Sequence, residues 1–382
     1  MKRKKILGIF GNVANAGQER ANCDVYALLN KHYTLKVLVN KRGFHWHLQP
    51  FFEKHSISFE KITFPWDISF GKSMREILQW VGDIIRNNIE FIKVYRKYKP
   101  DYIHVGNEYM FRTLIIPLLC CRAKINFRLG DKPFIKRFYN RLFWKLINKR
   151  VNIFICDTNF ILELLHNSGR SLKSADVVLY HTAPMRNPST LFTDDRNDEI
   201  IRVGYIGQIT HSKGVDILLK SAIEICNNNE KVEFVFAGNI DNNLFYDKIL
   251  SQMTTDLSSA IKNRIKFVGQ IEDANGFFKS LSIHTAPSVN EEAYGLVIVE
   301  AKQNHKASII FPSGGMLELI EHGKTGYICP EKTSEALVDA IEYYVQHPDE
   351  IQKQGDAAFD SLKELNISEE HFSSVWLKVY SE

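Results

Sequence analysis

Two glutamates, eight positions apart, form the pattern in this sequence that is best suited to chemistry. Glu292 and Glu300 flank Gly295, and a short apolar run, Leu281 to Pro287, precedes them. The run predicts a buried strand, and the polar residues after it predict a loop. Residues 296–304 predict a helix. A helix that begins at a glycine turn directs backbone N–H groups and a positive dipole end at its ligand. The stretch therefore predicts a phosphate site whose flanking carboxylates suit hydroxyl groups, and a nucleotide-sugar combines both.

The same stretch resembles the signature of a known enzyme family. Residues 292–301 read E-A-Y-G-L-V-I-V-E-A, which is similar to the E-x7-E motif of retaining GT-B glycosyltransferases, in particular glycosyltransferase family 4. Residues 313–326 resemble the glycine-rich pattern G-G-x-x-E-x-I-x-x-G-x-x-G of that family, and residues 316–322 within it are predicted to form a helix. The resemblance implies an α/β fold of two doubly wound Rossmann-like domains that face a cleft. It also implies a hexosyltransferase-type reaction with retention at the anomeric carbon.

The resemblance assigns catalytic roles in the second half of the chain. Residues 201–216 are similar to the family's V-G-R-L-x-x-x-K-G-x-D, so Lys213 is expected to stabilise the departing diphosphate, which carries much of the transition-state charge. Gln208 stands where the family has arginine, and a neutral amide can bond to phosphate but adds no charge. Glu292 is expected to bind hydroxyls of the donor sugar. The predicted catalytic residues are Glu292, Lys213 and Gln208.

The resemblance to the family also predicts the residues of the donor site. Glu300 is expected to hold the ribose hydroxyls, while the backbone at residues 294–297 and Lys213 hold the diphosphate. Gly238 and Ile271 are expected near the base, and Gly17 stands where a glycine of the family's first loop usually stands. The predicted donor-binding residues are Gly17, Gly207, Lys213, Gly238, Ile271, Glu292, Tyr294, Gly295, Leu296, Val297 and Glu300.

Acceptor-side predictions fall in the first half, where the resemblance is weaker. Residues 100–107 resemble the family's P-D-x-I-H-x-H/N, which makes Asn107 a candidate, and Asp131 follows the next predicted strand. His104 lies inside its strand, so a packed core histidine is the favoured interpretation. Gly130 stands where many relatives have histidine, and no role for that histidine is carried over.

The sequence offers no Asp-x-Asp between a strand and a loop, so we expect a metal-independent enzyme without a cofactor, whose donor is a UDP-sugar or a GDP-sugar. Asp194 and Asp195 fall in a predicted linker and are interpreted as a solvated pair. The predicted domains are 1–190 on the acceptor side and 198–365 for the nucleotide-sugar, with a terminal helix, 366–382, packing back on the first. The linker, residues 184–199, contains prolines and several aspartates.

Charge is divided unevenly along the 382 residues. The first 190 residues hold 32 basic and 14 acidic side chains, and the remainder hold 17 and 30, although the net charge of the chain is only +5. Residues 132–150 place basic side chains at every fourth position beside an apolar stripe that Phe143 and Trp144 are expected to widen. This pattern favours an anionic membrane surface as a partner. A solvated basic helix is the alternative interpretation. Nucleic acid is disfavoured because no recognised binding motif accompanies the charge.

The remaining features predict a cytoplasmic protein, peripheral on the inner face of the cytoplasmic membrane. Six cysteines lack metal-ligand spacing, which is typical of reduced thiols. Residues 6–10 are too short for a signal-peptide core and predict a first strand. The predicted function is glycosyl transfer to a glycan or lipid-linked acceptor in bacterial surface polysaccharide biosynthesis. The alternatives are a catalytically degenerate nucleotide-sugar or glycan-binding protein and a nucleotide-sugar epimerase.

Overall fold

A computed structural model describes residues 3–11, 17–43, 48–65, 73–135, 137–172, 174–182, 199–240 and 243–381. The chain forms two compact units, Met1–His181 with Glu369–Glu382, and Thr182–Ser368. The predicted linker, including Asp194 and Asp195, lies outside the described residues apart from Glu199.

The first unit is built on a parallel sheet of short buried strands. In chain order they are β1 (Lys5–Phe10), β2 (Thr34–Asn40), β3 (Ser58–Ile62), β4 (Tyr102–Val105), β5 (Lys124–Leu129), β6 (Ile153–Cys156) and β7 (Val177–Val178). Their order in the sheet is β3-β2-β1-β4-β5-β6-β7. The strand order therefore reverses between β1 and β4, which is the arrangement of a doubly wound sheet.

Helices connect these strands and cover the sheet. They are α1 (Gly17–His32), α2 (Gln49–Lys54), α3 (Met74–Tyr98), α4 (Glu108–Thr113), α5 (Ile115–Cys120), α6 (Phe138–Arg150) and α7 (Asn159–Asn167). The longest, α3, begins at a capping box in which the Ser73 side chain accepts from the Glu76 N–H and the Glu76 carboxylate accepts from the Ser73 N–H. Trp144 of α6 is fully buried, so the prediction that it widens an outer apolar face is wrong.

The second unit repeats the design with six parallel strands. They are β8 (Ile201–Ile206), β9 (Val232–Ala237), β10 (Ile265–Gly269), β11 (Ile283–Ala286), β12 (Ser308–Ile310) and β13 (Gly326–Ile328). Their order is β10-β9-β8-β11-β12-β13, so the reversal falls between β8 and β11. The predicted class, two doubly wound α/β domains with parallel sheets, is confirmed.

Seven α-helices of the second unit lie within the described residues. They are α8 (Val215–Asn228), α9 (Ser251–Thr255), α10 (Ser259–Lys262), α11 (Ala274–Ser280), α12 (Leu296–Gln303), α13 (Ser334–Gln346) and α14 (Pro348–Glu364). The prediction of a helix over 316–322 is wrong. The chain forms only a 3-10 turn there, Gly314–Glu318, and His322 pairs with Gly326 in a β-bridge instead.

The last helix, α15 (Glu369–Ser381), packs on the sheet of the first unit. Tyr380 is fully buried, and its hydroxyl lies 2.7 Å from Nδ1 of His104 in β4. Trp376 is buried beside the same histidine, and the Tyr33 hydroxyl donates to the Leu377 carbonyl oxygen at 3.1 Å. His104 is thus a packed core histidine. In the described part of the chain, no helix is both long and apolar enough to cross a bilayer.

Two buried histidines make folding sensitive to acid. Burial lowers the pKa of His104 to about 3, with the charge of Arg128 as a second cause, and burial alone lowers the pKa of His284 to about 3. The unfolded chain takes up a proton on each ring near pH 6.5, so the neutral folded rings favour folding above pH 6.5, and that contribution is lost as pH falls toward 3.

We therefore expect the free energy of unfolding to fall by about 1.4 kcal/mol per histidine between pH 7.5 and pH 5.5. Urea denaturation at the two pH values measures the difference. His284→Asn should reduce the pH effect by one histidine's share. An unchanged pH effect in His284→Asn would contradict the assignment.

Candidate functional site

The candidate site lies at the carboxyl ends of β8 and β11. These strands are neighbours and run parallel, with Ile283 opposite Val203 and Thr285 opposite Tyr205. The strand order of the second sheet reverses between them, and ligands of open α/β sheets bind outside the carboxyl ends of strands at such a reversal.

The segment that leaves β8 carries two of the predicted catalytic residues. Gly207 and Gln208 follow the strand directly, and a 3-10 turn, His211–Lys213, leads through Gly214 into α8. The Gln208 side chain is exposed, while its carbonyl oxygen accepts from the Tyr205 hydroxyl at 2.7 Å. The hydroxyl bond fixes the backbone at Gln208 and leaves its amide side chain accessible.

The segment that leaves β11 is held against that turn by its backbone. The N–H groups of Val289 and Asn290 both donate to the Ser212 carbonyl oxygen, at 3.0 and 3.2 Å. Gly214 adopts a left-handed conformation with φ +72°, and a Cβ there would lie 2.0 Å from the Pro287 carbonyl oxygen. Only glycine allows this approach of the two segments.

Lys213 and Glu292 meet as a direct result. The Lys213 Nζ lies 2.6 Å from Oε1 of Glu292, and both side chains are partly exposed. The Ser288 hydroxyl donates to the same carboxylate oxygen at 2.8 Å. Burial raises the pKa of Tyr205, and the nearby charge of Glu292 raises it further. Sequence reasoning missed Ser288 and Tyr205 as partners, because each acts on a site residue across a turn rather than within a recognisable motif.

The first turn of α12 opens beside this pair. Gly295 precedes the helix with φ +122°, and a Cβ there would lie 2.9 Å from Cγ of Met316. No side chain of the described residues caps this end of the helix. The N–H groups of Leu296 and Val297 belong to the first turn, where the backbone donors of an α-helix have no partner within the helix. Tyr294 is buried just before the turn, and Glu300 is half-buried one turn further along.

The predicted base-side residues follow the adjacent strands. Gly207 N–H donates to the Ala237 carbonyl oxygen at 3.0 Å, and Gly238 N–H donates to the Gly269 carbonyl oxygen at 2.9 Å. A Cβ at Gly238 would lie 2.1 Å from the Gly207 carbonyl oxygen, so the two loops are in close contact. Ile271 is half-buried and packs on the apolar cluster that also contacts Ile206.

The first-unit candidates share one edge of their own sheet. Gly17 begins α1 after β1, Asn107 follows β4, and the exposed Asp131 follows β5. Asn107 caps α4, because its Oδ1 accepts from the Tyr109 N–H at 2.7 Å. The structure thus gives Asn107 a structural role, and the acceptor-side role remains a prediction.

A buried ion pair explains why Gly130 has no side chain. Arg128 and Asp157 form a salt bridge, and both are nearly inaccessible. A Cβ at Gly130 would lie 2.9 Å from Oδ2 of Asp157 and 3.4 Å from the Arg128 guanidinium. Burial raises the pKa of Asp157 to about 6, although Arg128 opposes the shift, and the charge of Asp131 adds to it. A histidine at Gly130 would have to displace this pair.

Metal binding is not indicated by the described side chains. No group of three or more His, Cys, Asp or Glu residues within the described ranges is arranged to hold a metal ion. Metal independence stays a prediction.

Comparisons with known proteins show what the second half of the chain resembles. Residues 192–360 match the model of the family Glycosyl transferases group 1. The lipopolysaccharide core biosynthesis mannosyltransferase LpcC of Rhizobium leguminosarum bv. viciae is 28% identical over 181 residues, which is 47% of this chain and 50% of that protein. The chain thus matches about half of this relative's length.

Solved structures resemble the chain over nearly its whole length. Anabaena Alr3699/HepE in complex with UDP and glucose superposes with a TM-score of 0.76 at 20% identity, covering 97% of this chain and 99% of that one. Sucrose-phosphate synthase of Thermosynechococcus elongatus superposes with a TM-score of 0.79 at 14% identity, covering 99% and 98%. At these identities the likeness shows the fold, and the predicted GT-B fold is confirmed.

The close approach at Gly214 gives a stability prediction with a matched control. Gly323 has nearly the same conformation, φ +75°, but a Cβ there would meet nothing within 4 Å. We expect Gly323→Ala to lower the free energy of unfolding by about 1 kcal/mol, the cost of left-handed backbone. Gly214→Ala should cost roughly 1–3 kcal/mol more, because the methyl group also meets the Pro287 carbonyl. Urea denaturation followed by circular dichroism measures both variants.

Equal losses in the two variants would contradict the geometry, because only the contact with Pro287 distinguishes them.

Proposed function

We propose that the protein is a retaining glycosyltransferase. It moves a sugar from a nucleoside diphosphate sugar to a hydroxyl of a glycan or lipid-linked acceptor in bacterial surface polysaccharide biosynthesis. The observation that carries the proposal is the Lys213–Glu292 pair beside the first turn of α12. The resemblance to a lipopolysaccharide core mannosyltransferase and to a structure that holds UDP and glucose supports the donor class.

The diphosphate is held by Lys213 and by the N–H groups of the first turn of α12. An ammonium group has three donors, and among the described residues Glu292 is the partner of one of them. The donors that remain can bind phosphate without breaking the ion pair. The helix end adds a partial positive charge that favours an anion at the same position.

Glu292 binds the donor sugar. Both contacts that the described residues make to its carboxylate, from Lys213 and from Ser288, fall on Oε1. Oε2 can therefore accept from a sugar hydroxyl while the side chain stays fixed. Glu300 accepts from the ribose hydroxyls one turn further along α12. The base lies by Gly238 and Ile271, where the loops after β9 and β10 meet.

Transfer proceeds on one face of the sugar. The bond between the anomeric carbon and the diphosphate oxygen breaks, and a bond from that carbon to the acceptor oxygen forms on the same side. The acceptor proton passes to the departing diphosphate. Lys213 and the α12 amides stabilise the charge that develops on the diphosphate, which is the largest contribution such a site can make.

The exposed Gln208 contributes hydrogen bonds to the phosphates without a charge. Lys213 is thus the principal side-chain cation that we assign to the diphosphate, and we propose that neither a metal nor a cofactor is required. All six cysteines are free thiols, which supports a reducing compartment such as the cytoplasm.

A nucleotide screen tests the donor site. We expect UDP or GDP, at about 100 times its dissociation constant and in the presence of EDTA, to stabilise the protein by roughly 2.7 kcal/mol. That corresponds to a rise of several degrees in Tm. ADP and CDP serve as competitors, and Glu300→Ala should lose the shift because the ribose contacts are removed. Failure of every nucleotide, with or without Mn²⁺, would contradict the proposal.

Turnover tests the role of Lys213. We expect Lys213→Met to slow release of the nucleoside diphosphate from its sugar nucleotide by 10²–10³-fold, because the developing charge loses its cation. Lys220→Met is the matched control, since Lys220 is an exposed lysine of α8 that pairs with Glu335 at the surface. Nucleotide binding without turnover in the natural protein would favour the non-catalytic alternative, and an isomerised sugar without an acceptor would favour the epimerase.

A further inference from the structure

Helix α3 exposes an apolar stripe on the face opposite the sheet. Its buried side chains, Asp83, Asn87, Phe91 and Val94, lie on one side of the helix. The opposite side carries large apolar side chains whose exposure ranges from 39% to 70%. They are Met74, Ile77, Leu78, Val81, Ile85 and Ile89. Their spacing of three and four residues makes a continuous stripe about four turns long.

Helix α6 exposes a second stripe of the same kind. Phe138, Leu142 and Leu146 repeat at every fourth position and are 82%, 52% and 40% exposed. Tyr139 and, just before the helix, Phe134 are exposed beside them. The opposite face of α6 is buried through Trp144 and Ile147.

The two stripes belong to neighbouring elements. Asn88 of α3 donates to the Thr113 carbonyl oxygen at the end of α4 at 2.7 Å. Arg112 of α4 donates to Oδ1 of Asn140 in α6 at 2.9 Å. Helix α5 is linked to α6 by Arg150, which donates to the Leu118 carbonyl oxygen at 2.8 Å, and it exposes Ile116 at 70%. We call the exposed apolar side chains of α3, α5 and α6 the α3–α6 face.

This concentration is unusual for a surface. The other large apolar side chains that the described residues leave exposed are single residues on separate elements, namely Leu172, Leu244, Val268, Leu317 and Phe359. Scattered exposed residues need no explanation, whereas a large contiguous patch marks a site of contact with a protein or a membrane.

The charges around the face are almost all positive. Residues 137–150 contain no acidic residue, and Arg137, Arg141, Lys145 and Lys149 form a basic stripe along α6. The acidic residues of α3 are engaged in structural contacts. Asp83 pairs with Arg42, Glu90 pairs with Lys41, and Glu76 caps the helix, whereas its arginines and lysines are exposed.

We propose that the α3–α6 face docks the first unit on an anionic lipid bilayer. Apolar side chains enter the boundary between headgroups and acyl chains while arginine and lysine meet lipid phosphates, a combination typical of interfacial helices. The basic helix α6 was the expected membrane contact, and α3 extends it with the longer apolar stripe. Docking depends on neither the donor nor the transfer reaction, so it stands or fails separately from the proposed function.

Charge complementarity selects a bilayer over the other occupants. A second copy of the chain would bring one positive face against another, which opposes association. Nucleic acid would match the charge but would leave the aliphatic stripe of α3 in water. An anionic bilayer satisfies both the apolar and the basic side chains.

Cosedimentation with vesicles tests the proposal. We expect the full chain to bind vesicles of phosphatidylcholine with 30% phosphatidylglycerol, and to bind pure phosphatidylcholine at least tenfold more weakly. Added salt should weaken binding to the anionic vesicles without abolishing it, because the apolar contacts remain. Leu78→Gln/Ile85→Gln should lower the partition coefficient at least tenfold. Leu172→Gln/Leu244→Gln changes two exposed leucines elsewhere and should leave it unchanged.

Arg141→Gln/Lys145→Gln separates the two contributions. It should weaken binding to anionic vesicles and leave the weak binding to neutral vesicles unaltered. Thermal unfolding of each variant checks that the surface changes leave the fold intact. The proposal is overturned if the natural protein fails to pellet with anionic vesicles. It is equally overturned if both leucine pairs lose binding alike, or if sedimentation velocity shows a dimer that Leu78→Gln/Ile85→Gln dissociates.

Discussion

The site depends on one backbone constraint, the attachment of the loop after β11 to the turn after β8. The segments after these neighbouring strands lead into separate helices, α8 and α12, so strand pairing alone does not join the two loops. The Ser212 carbonyl oxygen supplies that link by accepting from Val289 and Asn290, and Gly214 allows the backbones to touch. Because both bonds end on one oxygen next to Lys213, the lysine is fixed opposite Glu292, and the ion pair follows from the backbone.

A second contact, between α12 and α14, also holds α12 in place. Lys302 is almost fully buried, and its Nζ donates to the Ser361 hydroxyl of α14 at 2.6 Å. Burial lowers the pKa of Lys302 to about 8, although the charges of Glu364 and Glu321 oppose the shift. A buried charge is retained at a cost, since it must be desolvated. The helix that presents its first-turn amides to the ligand is thus held by α14 as well as by the sheet, and a site of this kind requires such support.

The sequence predicted the elements of the fold and the residues of the candidate site better than the contacts between them. Period and turn residues located the strands, and the motifs singled out Lys213 and Glu292. Their direct pairing could not be predicted, because it depends on the hydrogen bonds that the Ser212 carbonyl oxygen accepts from Val289 and Asn290. Residues 316–322 have a helical pattern, but pairing of His322 with Gly326 ends the turn early. Helix α14 was missed. The arginine-to-glutamine change at Gln208 and the absence of a side chain at Gly130 were visible, whereas the Arg128–Asp157 pair that occupies the space was not.

The outer face of α3 shows where sequence pattern alone reaches its limit. The helix carries apolar side chains on two opposite sides, and the buried side also holds Asp83 and Asn87, so the pattern alone does not identify the side that packs on the sheet. The side with Phe91 and Val94 is the one that packs inward. On that side Asn87 donates to the Thr63 carbonyl oxygen, and Asp83 forms an ion pair with Arg42. The aliphatic side is then left facing outward next to the basic stripe of α6. Exposure of that side to water is unfavourable, because apolar surface is stabilised by removal from water. Its size and its position beside positive charge therefore fit the apolar, anionic surface of the bilayer that we propose as its partner.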